Sequence, residues 1–277
     1  MTPETNRRPL TPISFLERSA RVFPDRTAVV DRGRRFTYRE FHERARSMAA
    51  GLEAIGIQTG ERVAFLALNG EPLLTAHFGV PMSGAVLVAI NTRLARNDFA
   101  YILNHSAAAV LIADPTLLPG VNELHEQCPA LGTVITLGQE YDALVAGRTE
   151  RQIAHEIRDE DALISLNYTS GTTGFLKGVM YTHRGAYLNA LGNAIEVELT
   201  SEARYLWTLP MFHCNGWCYP WAVTAVGGMH ISLERPSPSD VFRAIQKENI
   251  THLCAAPTVL IDRRNMLLRI RSRWTRR

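Results

Sequence analysis

Apolar and polar positions along the chain follow two kinds of pattern. Continuous apolar runs of about four to eight residues favour buried strands. Segments with apolar residues three or four positions apart favour amphipathic helices. These patterns predict strands at 27–30, 35–37, 62–67, 85–90, 109–112, 132–137, 162–166, 179–181, 205–209, 229–233 and 251–254. They predict helices at 37–55, 71–82, 98–103, 182–195 and 217–226, and one more that opens at 238–240.

Local signals mark where two of these helices begin. Thr37 and Glu40 form the Thr-x-x-Glu pattern of a capping box, and the helix that follows carries apolar residues on one face as far as Ile55. Thr182 is placed to cap the helix that ends near residue 195. Because strands and helices alternate with short links, the sequence predicts an α/β fold with largely parallel sheets flanked by helices.

A loop rich in Ser, Thr and Gly lies between two predicted strands and is followed by a lysine. Backbone N–H groups at glycines can turn toward an anion, and the hydroxyls add donors, so the loop suits a polyphosphate. Lys177 can add a point charge to the same phosphates. A flexible linker is the alternative, but it does not explain the flanking strands and the lysine. The candidate phosphate-binding residues are Thr169, Ser170, Gly171, Thr172, Thr173, Gly174 and Lys177.

The spacing of this loop excludes two common nucleotide-binding motifs. A Walker A loop has Gly directly before its Lys and Ser or Thr directly after it, whereas Leu176 and Gly178 flank Lys177. The segment 171–174 also lacks the G-x-G-x-x-G spacing of a dinucleotide fingerprint. The loop therefore belongs to neither class.

A second unusual stretch, from Pro210 to Cys218, combines a histidine with two cysteines. His213, Cys214 and Cys218 are soft metal ligands, but structural zinc sites need paired ligands, and no second pair is present. A histidine hydrogen-bonded in the core is the plain alternative. The residues alone leave open whether His213 serves packing or chemistry.

Composition limits the class of protein and its partners. The 277 residues are 46% hydrophobic and 21% charged, as in an ordinary globular protein. The net charge of +3 includes seven arginines at 263–277, so residues 1–262 carry −4 and indicate no nucleic-acid partner. No apolar run reaches the length of a membrane span, and the four cysteines form no disulfide pattern. A cytoplasmic location is expected, and the oligomeric state is left open.

The phosphate loop resembles the Ser/Thr/Gly signature of the adenylate-forming enzymes, the superfamily of acyl-CoA synthetases, luciferases and peptide-synthetase adenylation domains. Residues 36–41 resemble its early TY-x-EL element, 90–94 its N-x-R-L segment, and 210–213 its P-x-F-H segment. The resemblance covers about residues 10–260 and is nearest to the fatty and medium-chain acyl-CoA synthetases. One departure is Leu176, where the family usually has proline; this change loosens the loop exit but removes no phosphate donor.

The resemblance implies a reaction and a role for each candidate residue. Such enzymes activate a carboxylic acid with Mg·ATP as an acyl-adenylate, and the thiol of coenzyme A then takes the acyl group as a thioester. By this resemblance Lys177 and His213 are the catalytic candidates, and Thr169 is the candidate Mg²⁺ ligand. The implied acyl pocket consists of His213, Trp217, Ala255 and Ala256.

The chain departs from the family pattern near its end. The similarity stops near residue 260, residues 261–277 form an arginine-rich tail, and the family's C-terminal lid domain with its catalytic lysine is absent. A frameshift or an added end explains the tail, and a genuine basic arm is the alternative. We expect a truncated acyl-CoA synthetase that forms little or no thioester. The alternative is a non-catalytic fragment that keeps weak nucleotide or acyl binding, or that associates with a partner.

Overall fold

The computed structural model describes residues 8–117, 122–147, 153, 155–170 and 176–255. Its strands are β1 Thr27–Asp31, β2 Arg34–Thr37, β3 Arg62–Leu66, β4 Val86–Ala89, β5 Ala108–Ala113, β6 Thr133–Thr136, β7 Leu163–Ser170, β8 Leu176–Thr182, β9 Arg204–Trp207, β10 Met229–Ser232 and β11 His252–Cys254. Its helices are α1 Ile13–Val22, α2 Tyr38–Ala54, α3 Glu71–Met82, α4 Arg96–Ser106, α5 Asn122–Gln127, α6 Gln139–Val145, α7 His183–Glu196, the irregular turn α8 Cys214–Trp217, α9 Tyr219–Ala225 and α10 Pro238–Glu248.

The described strands form two sheets that are mostly parallel. The first sheet has the order β11-β9-β10-β1-β2, and within it only β2 runs antiparallel to its neighbour. The second has the order β6-β5-β3-β4-β7-β8, and within it only β8 is antiparallel. Helices connect the parallel strands, so the predicted α/β fold is confirmed.

Helix α3 lies between the two sheets and is buried along almost its whole length. It contacts β1 of the first sheet and β3 and β4 of the second, and it packs against α2. Gly79 permits this close packing, because a Cβ at that position would lie 2.8 Å from the Cβ of Met48 on α2. The rings of Phe41 and Phe78 meet edge to face at 5.4 Å. A helix that is apolar on every side suits this central layer.

Helix α2 begins with the predicted capping box and ends earlier than predicted. The hydroxyl of Thr37 accepts from the N–H of Glu40, and the carboxylate of Glu40 accepts from the N–H of Thr37. The prediction that Ile55 lies on the buried face is wrong, since the helix ends at Ala54 and Ile55 is 43% exposed. Gly56 follows with a φ of 95°, a left-handed conformation that ends helices.

Three described helices, α1, α5 and α6, were not predicted. Helices α1 and α6 begin without a side-chain cap, after Pro12 and Gly138 respectively. An amphipathic pattern was nevertheless present in α1, where Phe15, Leu16 and Ser19 are buried. None of the helices in the described ranges combines the length and apolarity of a membrane span.

Candidate functional site

The Ser/Thr/Gly-rich loop connects two paired strands at the edge of the second sheet. Strands β7 and β8 pair antiparallel, with Thr169 opposite Lys177 and Ser170 opposite Leu176, so the predicted strand on each side of the loop is confirmed. Strand β8 is outermost, and the side chain of Lys177 is exposed. The candidates Gly171, Thr172, Thr173 and Gly174 lie outside the described residues.

Two ring side chains of helix α4, Tyr101 and His105, contact the hairpin near the point where its strands enter the loop. The hydroxyl of Tyr101 donates to the carbonyl of Leu176 over 3.1 Å. The ring of His105 stacks on Tyr101, and its Nδ1 lies 2.8 Å from the hydroxyl of Tyr168 on β7. Sequence reasoning missed both residues, although their spacing of four positions places them on one helix face.

A cleft of about 850 Å³ opens beside the hairpin, at the carboxyl ends of strands from both sheets. The residues that line it follow β3, β4, β5, β9 and β10. Because β4 pairs in parallel with β7, with Val88 opposite Leu166, the residues after β4 lie alongside the end of β7. The carboxyl ends of parallel strands are the usual ligand-binding side of an open α/β sheet.

His213 lines this cleft and is exposed, so the alternative of a histidine buried in the core is wrong. The buried side chain of Asn69, just after β3, holds the preceding segment in place. Its Nδ2 donates to the carbonyl of Leu209, and its Oδ1 accepts from the N–H of Met211, both over 2.8 Å. Sequence reasoning missed Asn69, because a lone asparagine after a strand carries no distinct signal.

The backbone after His213 forms a left-handed turn over residues 214–218. The φ angles of Cys214, Asn215, Gly216, Trp217 and Cys218 are 47°, 41°, 54°, 56° and 62°. The predicted helix over 217–226 is therefore corrected at its start, because the right-handed helix α9 begins only at Tyr219, after the turn. Four of the five residues are not glycine, so surrounding contacts must hold this conformation.

The other acyl-pocket candidates are not among the described residues that line the cleft. The side chain of Trp217 is 56% exposed, and it is not among the described residues that line the cleft. Ala255 directly follows β11 and is half-buried, whereas Ala256 lies outside the described residues. The structure therefore brings His213, but not Trp217, to the cleft.

Cys218 of the turn is buried, and Cys214 is half-buried beside Tyr181. Burial raises the pKa of Cys218 to about 12, with a smaller contribution from Cys214. Burial, with smaller contributions from the same two cysteines, raises the pKa of Tyr181 to about 12. The thiol of Cys218 therefore stays protonated near neutral pH, as a packing residue would. Within the described ranges, no three His, Cys, Asp or Glu side chains form a group that could hold a metal ion.

Comparisons with known proteins add to this geometry. The chain is 38% identical over 267 residues to 4-hydroxybutyrate–CoA ligase 2 of Metallosphaera sedula, covering 91% of this chain and 49% of that protein. It is 38% identical over 275 residues to the peroxisomal acetate/butyrate–CoA ligase of Arabidopsis thaliana, covering 91% and 48%. Its structure is similar to a Mycobacterium tuberculosis fatty acyl CoA synthetase, with a TM-score of 0.85, 27% identity, and coverage of 92% and 51%.

The chain spans about half the length of the curated relatives that it matches. Residues 16–271 match the family described as AMP-binding enzyme. This match covers most of the chain, and the structural similarity to the fatty acyl CoA synthetase agrees with it. The chain belongs to the AMP-binding enzyme family.

Proposed function

We propose that this chain carries the nucleotide loop and part of the acid-binding cleft of an acyl-CoA synthetase, an acid–thiol ligase. In the first half-reaction, a carboxylate oxygen attacks the α-phosphorus of ATP and pyrophosphate leaves. In the second, the thiol of coenzyme A attacks the acyl carbon and AMP leaves. The observation that carries the proposal is the hairpin that sets Thr169 opposite Lys177 beside a cleft that contains His213.

Charge neutralisation at the phosphates is the role proposed for Lys177. Its ammonium group is exposed at the edge of the sheet and can reach a ligand without a change of fold. Backbone N–H groups of the loop, with the side chains of Thr169 and Ser170, would supply further donors. Such groups accelerate phosphoryl chemistry by positioning the substrate and stabilising charge, and no covalent nucleophile on the protein is needed.

The described residues fit Mg²⁺ only as an ion held largely by the nucleotide. No cluster of three acidic, His or Cys side chains in the described part of the chain could hold a metal by itself. The hydroxyl of Thr169 is the proposed protein ligand, and phosphate oxygens would supply the others. When bound, the ion would neutralise charge on the phosphates and the leaving pyrophosphate.

Orientation of the acid is the role proposed for His213. Its exposed ring lines a cleft whose residues after β4 lie alongside the end of β7, so an acid held there would lie near a nucleotide bound by the loop. The relatives are named for 4-hydroxybutyrate, acetate and butyrate, which makes a short carboxylic acid the first substrate class to test. Trp217, Ala255 and Ala256 remain proposed acyl-pocket residues.

A second candidate is binding without turnover. It is favoured by the length of the chain, which is about half that of the relatives named as ligases. In that case the chain binds ATP or the acid but forms no thioester. A cytoplasmic location also remains a proposal, since several relatives are named as peroxisomal. Imaging of a tagged chain in its own cells tests it.

Pyrophosphate release from the 277-residue chain distinguishes the two candidates. The assay contains ATP, Mg²⁺ and coenzyme A, with acetate, butyrate or octanoate as the acid. Acid-dependent release with thioester formation supports a complete ligase activity in this chain. Nucleotide binding without release supports the second candidate, and neither binding nor release contradicts both.

A further inference from the structure

Two polar side chains of β7 reach across to the left-handed turn after His213. The Oδ1 of Asn167 accepts a hydrogen bond from the N–H of Asn215 over 3.0 Å. The hydroxyl of Ser165 donates to the Oδ1 of Asn215 over 2.9 Å. All three residues are at most 2% exposed, so these two bonds form a buried clamp between segments about 50 positions apart.

The same face of β7 leads to the nucleotide loop. Side chains alternate along a strand, so Ser165, Asn167 and Thr169 lie on one face of β7. The clamp therefore joins the strand that ends in Thr169 to the turn that follows His213. In the proposed function, the end of β7 belongs to the nucleotide site, and the turn after His213 belongs to the acid site.

The other contacts of the turn come from different elements. Gly216 lies against the ring of Trp207 on β9, where a Cβ would stand 2.7 Å from a ring carbon. The Nδ2 of Asn193 on α7 donates to the carbonyl of Trp217 over 2.7 Å. Tyr181 on β8 interacts with Cys214, and the clamp is the contact that joins the turn to β7.

The chemistry of the clamp points to a positioning role. The Nδ2 groups of Asn167 and Asn215 are buried, and neither has a hydrogen-bond partner within the described ranges. Burying an unsatisfied amide donor is unfavourable, and a leucine of similar size would avoid it. What the amide of Asn167 supplies and leucine lacks is the oxygen that accepts from the N–H of Asn215.

We propose that Ser165 and Asn167 are positioning residues that fix the left-handed turn on β7, and with it the place of His213 relative to Thr169. This inference rests on the proposed function, in which the loop holds phosphates and His213 orients the acid. Attack on the α-phosphorus requires near contact between the reacting atoms, so a shift of about 1 Å in the turn lowers the rate sharply.

Thiol labelling of the full chain tests the clamp without any ligand. Asn167→Leu removes the acceptor at similar volume, and alkylation at each cysteine is followed by peptide mapping. Cys218 of the turn and Cys128 beyond α5 are buried to a similar degree, at 3% and 1% exposure. We expect labelling of Cys218 to rise about tenfold while that of Cys128 stays unchanged. Equal rises at both cysteines, or no rise at Cys218, would overturn the proposal.

Two further variants keep this test decisive. Ser83→Ala removes a buried hydroxyl that donates to the carbonyl of Val80 at the end of α3, and it should alter labelling of neither cysteine. If Asn167→Leu does not fold, Ser165→Ala removes only the hydroxyl donor. It should raise labelling of Cys218 about two- to fivefold, and an unchanged rate would count against the clamp.

A ligand measurement separates positioning from a general loss of binding. The probes are AMP and the sulfamoyl analogue of butyryl-adenylate, titrated by calorimetry into the original chain and Asn167→Leu. The variant should bind the analogue about tenfold more weakly and AMP within about twofold of the original. Equal weakening of both would overturn the positioning role. An original chain that binds neither probe contradicts the proposed function, while the labelling result still decides the clamp.

Discussion

At the scale of single residues, Gly216 shows how backbone conformation shapes the site. It sits in the middle of the left-handed turn with a φ of 54°, and the ring of Trp207 leaves no room for a side chain. The positive φ disfavours a residue with a Cβ, and the ring of Trp207 leaves no space for one. Gly192, inside α7, has open space around the position of a Cβ and no such constraint.

These two glycines give opposite expectations for the same substitution. Gly216→Ala should lower the free energy of unfolding by about 2–4 kcal/mol, from left-handed strain and overpacking against Trp207. Gly192→Ala should raise it by about 0.5–1 kcal/mol, because alanine favours a helix. Urea unfolding of the variants measures both values. A neutral Gly216→Ala would contradict the close packing of the turn.

At the scale of elements, regular structure was largely predictable and the irregular turn was not. The bounds of α3 match the predicted range of 71–82, and the strands around the loop were found from apolar runs. The cap of α7 by Thr182 was also predicted, and its hydroxyl accepts from the N–H of Gly185 over 3.0 Å. These features depend on nearby residues, which is why a sequence pattern reveals them.

The left-handed turn depends instead on residues far away in the chain. Asn167 and Trp207 hold it through Asn215 and Gly216, and no local pattern indicates such contacts. For the same reason, sequence reasoning grouped Trp217 with His213 in one pocket, whereas in the structure His213 lines the cleft and Trp217 is an exposed residue outside its lining. Candidate residues could therefore be found from the sequence, but their relative placement could not.

Thr182 is the last residue of β8 and the N-cap of α7, so its substitution tests the junction between the hairpin and this helix. Thr182→Ala removes the acceptor for the N–H of Gly185 and should lower the free energy of unfolding by about 1 kcal/mol. Thr182→Ser keeps the hydroxyl and should lie within about 0.3 kcal/mol of the original chain. Thermal and urea unfolding report these differences, and equal losses in both variants would count against the cap.

At the scale of the whole molecule, three buried histidines have pKa values below the neutral range and are therefore uncharged at pH 7. Burial lowers the pKa of His77 to about 4 and that of His230 to about 3. His230 accepts from the indole N–H of Trp207, and His77 packs edge to face on Trp221. Burial also lowers the pKa of His183, next to Thr11, to about 4. The fold keeps these rings neutral.

Neutral buried histidines make stability fall in acid. Each has a pKa below its unfolded value near 6.5, so its stabilisation is complete above pH 6.5 and declines as the pH falls toward 4. At pH 5 the loss is about 2 kcal/mol for each such histidine. The melting temperature should therefore drop clearly between pH 7.5 and pH 5.

A single variant ties this pH dependence to one group. His77→Leu removes one buried imidazole, and the loss of unfolding free energy between pH 7.5 and pH 5 should shrink by about 2 kcal/mol. Denaturant unfolding at the two pH values gives the comparison. An unchanged loss would show that His77 does not contribute to the acid sensitivity.

The affinity of the chain for Mg·ATP tests the central claim, that the β7–β8 hairpin binds the phosphates of a nucleotide. Lys177 and Lys247 are the two lysines of the chain, and Lys247 lies on α10, away from the hairpin. Calorimetry on the 277-residue chain should show a dissociation constant that rises about ten- to a hundredfold in Lys177→Ala, through loss of one charge-assisted contact. Lys247→Ala should stay within about twofold of the original. Equal affinity in both variants, or no binding by the original chain, would contradict the account.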